Sequence, residues 1–410
     1  MLMKQNVYFI FLLPVLFLAL LTACEEGGRY VDPVSTDTSK PLPVSNVEVH
    51  NFHGGAHITY TLPTSENLLY VQAEYKINDV KTRQVKSSYY SDTVTVRGFA
   101  QSQDYDVTLW AVSRANVKSD PVVVKVHPDT PPYLMIRPTL EISPDFGGLN
   151  IIARNPLEET VGIVVITYDS VTQQQEIVDQ LYTATDSINH SVRGFRDIPR
   201  SFGVYITDEF GNVSDTLRQE LTPLFEQVLD KQQFFAYKLP SDNEIAYGWD
   251  LPYLWDNKVD AYSAGWHTAP GGPLPIVCTF GLGGNFQLSR FVLYERTAEF
   301  TYSHGNPRTF TLWGSSVSSP QDAVLPLTSE IGTVVGDWVN LANYKFPEPP
   351  SGLPPGATNA QDAAFVLAGI NFNVPINSQP VKFVRLAVSE TWSNGDFAHA
   401  MEITLFGKPE

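Results

Sequence analysis

Val381-Lys-Phe-Val-Arg-Leu-Ala-Val388 and Ala400-Met-Glu-Ile-Thr-Leu-Phe-Gly407 decide how the end of this chain folds. In both, apolar and polar residues alternate with period two, the pattern of strands that lay one face on a core. A polar loop carrying Trp392 and Asn394 separates them, so the pair reads as antiparallel neighbours.

Further back, Tyr253-Leu-Trp-Asp-Asn-Lys-Val-Asp260 and Ser263-Ala-Gly-Trp266 gather acidic and amide oxygens in a tight loop. An apolar strand, Pro275-Ile-Val-Cys-Thr-Phe-Gly281, follows that loop. Next come Phe291-Val-Leu-Tyr-Glu-Arg296, Phe310-Thr-Leu-Trp-Gly-Ser315 and a Gly-Asp-Trp at 336–338. Taken in this order, ending on the Arg-Leu strand and Glu-Ile-x-x-Phe-Gly, these features resemble the discoidin, or blood-coagulation factor type C, domain. That family is a galactose-binding-like β-sandwich shared with many carbohydrate-binding modules. The resemblance runs from Trp249 to Gly407 and implies a terminal domain over 249–410. Thr279-Phe-Gly-Leu stands where the family usually has Asp-Leu-Gly, and a Pro-rich insertion from Phe346 to Thr358 exceeds the common pattern.

At the other end, Lys4 opens a short positive region, Val7 to Leu21 is almost wholly apolar, and Leu21-Thr-Ala-Cys24 is a lipobox. The run is too short for a span, so residues 1–23 read as a cleaved lipoprotein signal with Cys24 as the lipidated residue. Glu25-Glu26 resembles the acidic signal of surface-exposed Bacteroidetes lipoproteins. Residues 24–42 are rich in Gly, Pro, Ser, Thr and Asp and read as a flexible tether.

Composition agrees with life outside the cytoplasm. The net charge is −17, and loss of Lys4 with the leader makes it more negative. Nucleic acid is excluded as a partner, because phosphate binding needs a positive footprint. With two cysteines, of which one would carry lipid, no disulfide framework exists. Cys278 lies in an apolar strand and reads as a small core residue.

Residues 43–128 carry short alternating strands, among them Ile58/Tyr60/Leu62, Val71/Ala73/Tyr75/Ile77 and Tyr105/Val107/Leu109/Ala111, with turns between. Seven strands at this spacing fit a sandwich, and the arrangement resembles a fibronectin type III domain. The next segment repeats it. Val96-Arg-Gly-Phe99 returns as Val192-Arg-Gly-Phe195 and Asn116-Val117 as Asn212-Val213, both 96 residues on. Gly54-Gly55 returns as Gly147-Gly148, so residues 129–223 are expected to form a second sandwich of the same kind. The repeat also reads His53 and His57 as flanks of a glycine hairpin turn, since the duplicate has Phe146 and Asn150 there. Residues 224–248 form a linker, with Leu224–Phe234 as its helical stretch on four-residue spacing.

No metalloprotease, nucleophile-elbow, phosphate-loop or dinucleotide motif is present. Glu295 and Glu299 could suggest the paired carboxylates of a glycosidase, but they read better as a solvated strand end. The expected class is therefore a binding protein and not an enzyme.

Two constellations remain in the terminal domain. The discoidin resemblance implies a structural calcium ion held by Asp256, Asp260 and Glu402, with carbonyls such as those of Lys258 and Ala400 completing the shell. Three carboxylates brought together would repel without a cation; separate surface acids are the other reading. The second constellation is a glycan site. Sugar rings want an aromatic platform beside hydrogen-bonding side chains. Tyr302, His304, Asn306 and Arg308 supply these from one loop, and Trp392 and Asn394 come from the last inter-strand loop, which approaches it in the resembled fold. Against this, Trp392 could cap the core and Arg308 could pair with an acid.

The expectation is thus an all-β chain: two tandem fibronectin type III-like sandwiches and a discoidin-like sandwich, lipid-anchored in the outer membrane and facing the exterior. Its partners would be a polysaccharide or glycoprotein glycan, with other glycan-uptake outer-membrane proteins nearby. An adhesion or scaffold lipoprotein recognising a protein is the alternative, and a glycan-active hydrolase ranks below both.

Overall fold

The computed structural model describes residues 35–168 and 174–410. The expected leader, Cys24 and the first part of the tether lie outside the described residues. No helix among the described residues is long and apolar enough to cross a membrane.

Strands β1 (Ser45–Phe52), β2 (Gly55–Thr61), β3 (Leu68–Lys76), β4 (Thr82–Ser88), β5 (Thr93–Arg97), β6 (Tyr105–Ser113) and β7 (Val122–Val126) form two antiparallel sheets. Their orders are β1-β2-β5 and β4-β3-β6-β7. Ile58, Val71, Val96, Val107 and Leu109, all wholly buried, fill the space between them. Strand alternation dictates this, since every second side chain points inward.

A short helix α1 (Pro132–Ile136) leads into the second sandwich: β8 (Glu141–Asp145), β9 (Gly148–Arg154), β10 (Val161–Tyr168), β11 (Gln175–Thr183), β12 (Ser187–Val192), β13 (Arg200–Thr207) and β14 (Leu217–Leu221). Its orders, β12-β9-β8 and β11-β10-β13-β14, reproduce those of the first sandwich. The repeated glycines mark the reason. Gly54 and Gly147 turn their hairpins at φ +70° and +64°, and Gly98 and Gly194 stand at +94° and +102°, backbone that side chains disfavour. The two sandwiches meet through Asn212, whose Nδ2 donates to Gly98 O at 3.0 Å and whose Oδ1 accepts from Asn78 Nδ2 at 3.1 Å.

The terminal domain uses β15 (Gln227–Val228), β16 (Phe235–Ala236), β17 (Trp266–His267), β18 (Ile276–Tyr294), β19 (Pro307–Ser315), β20 (Val334–Val335), β21 (Trp338–Lys345), α2 (Ala360–Leu367), β22 (Ile370–Asn373), β23 (Val381–Thr391), β24 (His399–Ala400) and β25 (Glu402–Pro409). Strand β18 serves both layers of the sandwich. Its first part, Ile276–Gly281, pairs with β23, and its second, Phe286–Tyr294, pairs with β25. Gly283, at φ +75°, lies in the bend between the two parts. The core between the layers includes Trp266, Phe280, Phe291, Phe310 and Val388, all wholly buried. The fold is therefore all-β, two fibronectin type III-like sandwiches followed by a galactose-binding-like one.

Two expectations need correction. Leu224–Phe234 is not one continuous helix: its helical part is a single 3-10 turn, Lys231–Gln233, capped by Asp230. Leu224 joins the second sandwich, its N–H donating to Asp145 O at 2.9 Å, while Gln227–Val228 pair with β25. Leu229 and Phe234 are buried in the terminal core, but Phe225 and Val228 are exposed, so the apolar residues are not sorted onto one helical face. Partners on both neighbouring domains satisfy the backbone better than a short isolated helix would. Nor does β23 present only one face to a core. Phe383 and Ala387 pack into a second cluster with Leu239, Trp313, Leu325 and Trp338, because the segments around 237–243 and 320–325 cover that face.

Candidate functional site

The loop Thr301–Pro307 and the loop after β23 are joined edge to edge, as expected: Ser393 N and Oγ donate to His304 O at 3.2 and 2.7 Å. The side chains do not all face outward, however. Tyr302 is fully buried and meets Trp392 edge-on at 4.9 Å between ring centres; Trp392 is only 8% exposed. Asn306 is also fully buried. It accepts from Arg296 N and donates to Arg296 O and Phe300 O, which fixes the loop. Arg308 lies over Trp392 and is paired with Glu390 at 3.0 Å. The glycan platform expected from Tyr302 and Trp392 is thus an inner wall of the domain. Of the expected set, His304 and Arg308 remain partly open and Asn394 is exposed, on a turn at φ +54°.

Beneath this wall is a polar group that sequence reading misplaced. Glu295 is buried, not a solvated strand end, whereas Glu299 is exposed. Among the described residues neither Glu295 oxygen makes a hydrogen bond of good geometry, and the same holds for Tyr302 Oη and Trp392 Nε1. Burial pushes the Glu295 carboxyl well above the usual range, although the Trp392 indole lies near enough to oppose the rise.

The open surface beside this wall is built from residues that sequence spacing did not single out. Arg296 lies over Trp249 at 4.7 Å and over Phe300 at 3.7 Å from the ring centres. Its Nε donates to Ala261 O at 2.9 Å; among the described residues, neither terminal nitrogen donates to a protein group. Phe300 continues to His304 at 5.2 Å, and His304 to Phe397 at 4.9 Å. Phe397 stacks flat on His267 at 5.3 Å, and Tyr247, 71% exposed, meets the same imidazole edge-on. The outcome is a band of rings with one cation set among them. The clue in the sequence was aromatic clustering in loops 247–249, 297–304 and 393–399, but only the fold shows that the three loops meet.

Three histidines lie within this band. His267, His304 and His399 each offer a ring nitrogen, and these nitrogens all lie within 4.8 Å of one another. His267 Nδ1 is 2.8 Å from Thr268 O, and His304 Nδ1 is 3.0 Å from His399 Nε2. Burial, chiefly, pulls all three imidazoles below their ordinary pKa, His399 furthest; Arg296 adds to the shift in each.

The carboxylates expected to hold calcium do not share a ligand shell. Among the described residues only the three histidines converge in that way. Glu402 is buried, with Oε1 2.6 Å from Lys231 Nζ and Oε2 accepting from Asn257 N at 2.7 Å. Asp256 pairs with Lys258 at 3.0 Å, and Asp260 caps a turn by accepting from Ser263 Oγ at 2.6 Å. The Lys231 ammonium therefore faces the Glu402 carboxyl and opposes the rise in its pKa that burial causes, while Asp256 still adds to that rise.

Comparison with known proteins gives three consecutive family matches. Residues 41–128 match a domain of unknown function, DUF4959; residues 129–232 match another, DUF5126; residues 255–407 match a third, DUF5000. No curated protein matches the chain. Among solved structures, a SusE-like protein is 26% identical over 68% of this chain and 100% of its own, with a TM-score of 0.43. A family 32 carbohydrate-binding module from a Clostridium perfringens family 31 glycoside hydrolase is 15% identical over 44% of this chain and 95% of its own, with a TM-score of 0.32. A two-domain fibronectin type III segment of chicken tenascin is 13% identical over 44% of this chain and 99% of its own, with a TM-score of 0.21.

Proposed function

We propose that this chain is a cell-surface lipoprotein, tethered through Cys24 to the outer membrane, whose terminal sandwich captures glycans at the ring-lined face between Tyr247 and Phe397. The observation that carries the reading is Arg296, held between Trp249 and Phe300 with its terminal nitrogens free of protein acceptors among the described residues. A sugar has apolar C–H faces and a rim of hydroxyls. Exposed rings suit the first, and a fixed guanidinium with a partly open imidazole suits the second. The two preceding sandwiches would hold this face away from the membrane.

The test is a soluble-glycan panel with the full chain, followed by titration calorimetry on any hit. Tyr247→Ala and Arg296→Gln should each lower affinity by at least about tenfold, the scale of one lost charge-assisted hydrogen bond or ring contact. Melting temperature should hold for Tyr247→Ala, since that ring is exposed. Silence across the panel, together with binding to a surface protein, would replace glycan capture with adhesion. For the anchor, Cys24→Ser should release the protein from the membrane fraction; retention there would sink that part.

A further inference from the structure

We propose that His267, His304 and His399 form a binding site for a divalent first-row transition ion of the zinc class. The site does not depend on the glycan reading, although it lies under the same face. The geometry comes first. With Zn–N bonds of about 2.0–2.1 Å, two nitrogens on one tetrahedral ion stand roughly 3.3 Å apart. His304 Nδ1 and His399 Nε2 are already 3.0 Å apart, and the third nitrogen completes a triangle no wider than 4.8 Å. The sides left to contract are those that reach His267; His304 is the most open of the three rings.

The surroundings match what such a ligand set requires. His267 Nδ1 faces Thr268 O at 2.8 Å, so its proton is held there and Nε2 is left with a lone pair. This is the outer-shell arrangement that orients metal-binding imidazoles. His399 is wholly buried and its Nε2, the atom nearest His304, also accepts from the Gly305 amide at 3.2 Å; among the described residues its Nδ1 has no hydrogen-bond partner, so the outer-shell contact that orients His267 is not repeated there. The backbone is also forced. Tyr302 and His304 both adopt left-handed conformations, φ +51° and +59°, to bring the loop over the pair. Between His304 and the next strand, a Cβ on Gly305 would stand 2.9 Å from the His399 ring and 2.8 Å from Phe397. Strain of this kind in a loop suggests that its placement is used.

All-imidazole sites suit zinc, copper, iron and nickel over calcium or magnesium, which prefer oxygen. Binding would displace the proton between His304 and His399 and take the Gly305 amide's acceptor, a cost that the metal bonds must exceed. Three protein nitrogens leave a fourth position for water, as in open zinc sites.

The probe is Zn²⁺ alone, added to the full chain purified without a histidine tag, with Co²⁺ as the spectroscopic stand-in. One Zn²⁺ per chain should bind and raise the melting temperature, and Co²⁺ should give the visible bands of a four-coordinate site. His304→Ala, at the open corner, should cut Zn²⁺ affinity by more than about 100-fold, given that loss of a mere outer-shell partner costs roughly 10- to 100-fold. His190→Ala, in the second sandwich, should leave affinity unchanged. His399→Gln should weaken Zn²⁺ binding to a similar degree, and if that variant does not fold, His267→Gln supplies the second test. Absence of stoichiometric Zn²⁺ binding, or binding that survives His304→Ala, overturns the proposal.

Discussion

The Lys231 ammonium stands 2.6 Å from Glu402 Oε1, inside the fold and between the linker and the last strand. It also donates to Asn257 Oδ1 and Thr404 Oγ1, both at 2.8 Å. A residue of the linker thus supplies the positive charge that the acidic corner needs. Lys231→Met should destabilise the chain by about 3–5 kcal/mol, the usual consequence of leaving one buried charge alone. Burial raises the Glu402 carboxyl to about 7, with Lys231 opposing the rise. Below that pH the unpaired acid can take up a proton, so the loss should be smaller at pH 6 than at pH 8.5 in urea unfolding. Added calcium should leave the melting temperature unchanged; a clear rise would restore the ion to this corner.

Arg385 is the second buried charge that the sequence pattern did not reveal. It is wholly buried on β23, 3.0 Å from Asp242, with Nε donating to Thr279 Oγ1 and Nη1 to Ala323 O. Arg385→Met strands Asp242, whose carboxyl burial already pushes upward, and should cost about 3–5 kcal/mol. Arg385→Met with Asp242→Asn should recover a large part of that loss. Equal unfolding midpoints for the single and double variants would show that the pair carries little energy.

Glu226 ties the second sandwich to the terminal domain. Its carboxylate accepts from Arg193 at 3.0 Å on one side and from Ser289 at 2.6 Å and Arg290 at 3.3 Å on the other. Glu226→Ala removes the shared acceptor and leaves two guanidiniums facing each other. The expected result is a terminal domain that melts separately from the second sandwich, seen as two calorimetric transitions where the parent should unfold in one. A single unaltered transition would mean that the joint is held by other contacts.

Glu295 gives a pH signature. Its folded pKa lies well above 4.5, so between 4.5 and that higher value the unfolded chain ionises while the folded one keeps its proton. Stability from this group is complete below about pH 4.5 and is lost as pH rises through the folded value. Glu295→Gln should remove that component, so the variant gains on the parent as pH rises above 4.5. Parallel melting curves from pH 4 to 9 would count against it.

Trp392→Ala separates the two roles this ring could have. As a core residue against Tyr302 and Phe346, it should cost about 3–5 kcal/mol in unfolding. Unchanged stability with lost ligand binding would return it to the surface role.

Much of the fold was written in local pattern. Period-two runs marked the strands of all three domains, and the recurrence of Val-Arg-Gly-Phe and Asn-Val revealed the duplicated sandwich, because each depends on neighbours in sequence or on backbone that glycine alone adopts readily. The linker failed the same test: four-residue spacing at Leu224–Leu229 is compatible with a helix, but the partners that claimed its backbone, Asp145 and Leu405, lie far away along the chain. The site divided in the same manner. Loop 301–307 and Trp392 could be placed together from sequence order, yet which rings face solvent depends on how two layers close over Glu295. Side-chain direction in a loop is set by contacts across the fold. Tertiary structure therefore turned Tyr302 and Trp392 inward, brought Trp249, Arg296, Phe300 and Phe397 together outside, and joined three histidines from three separate segments.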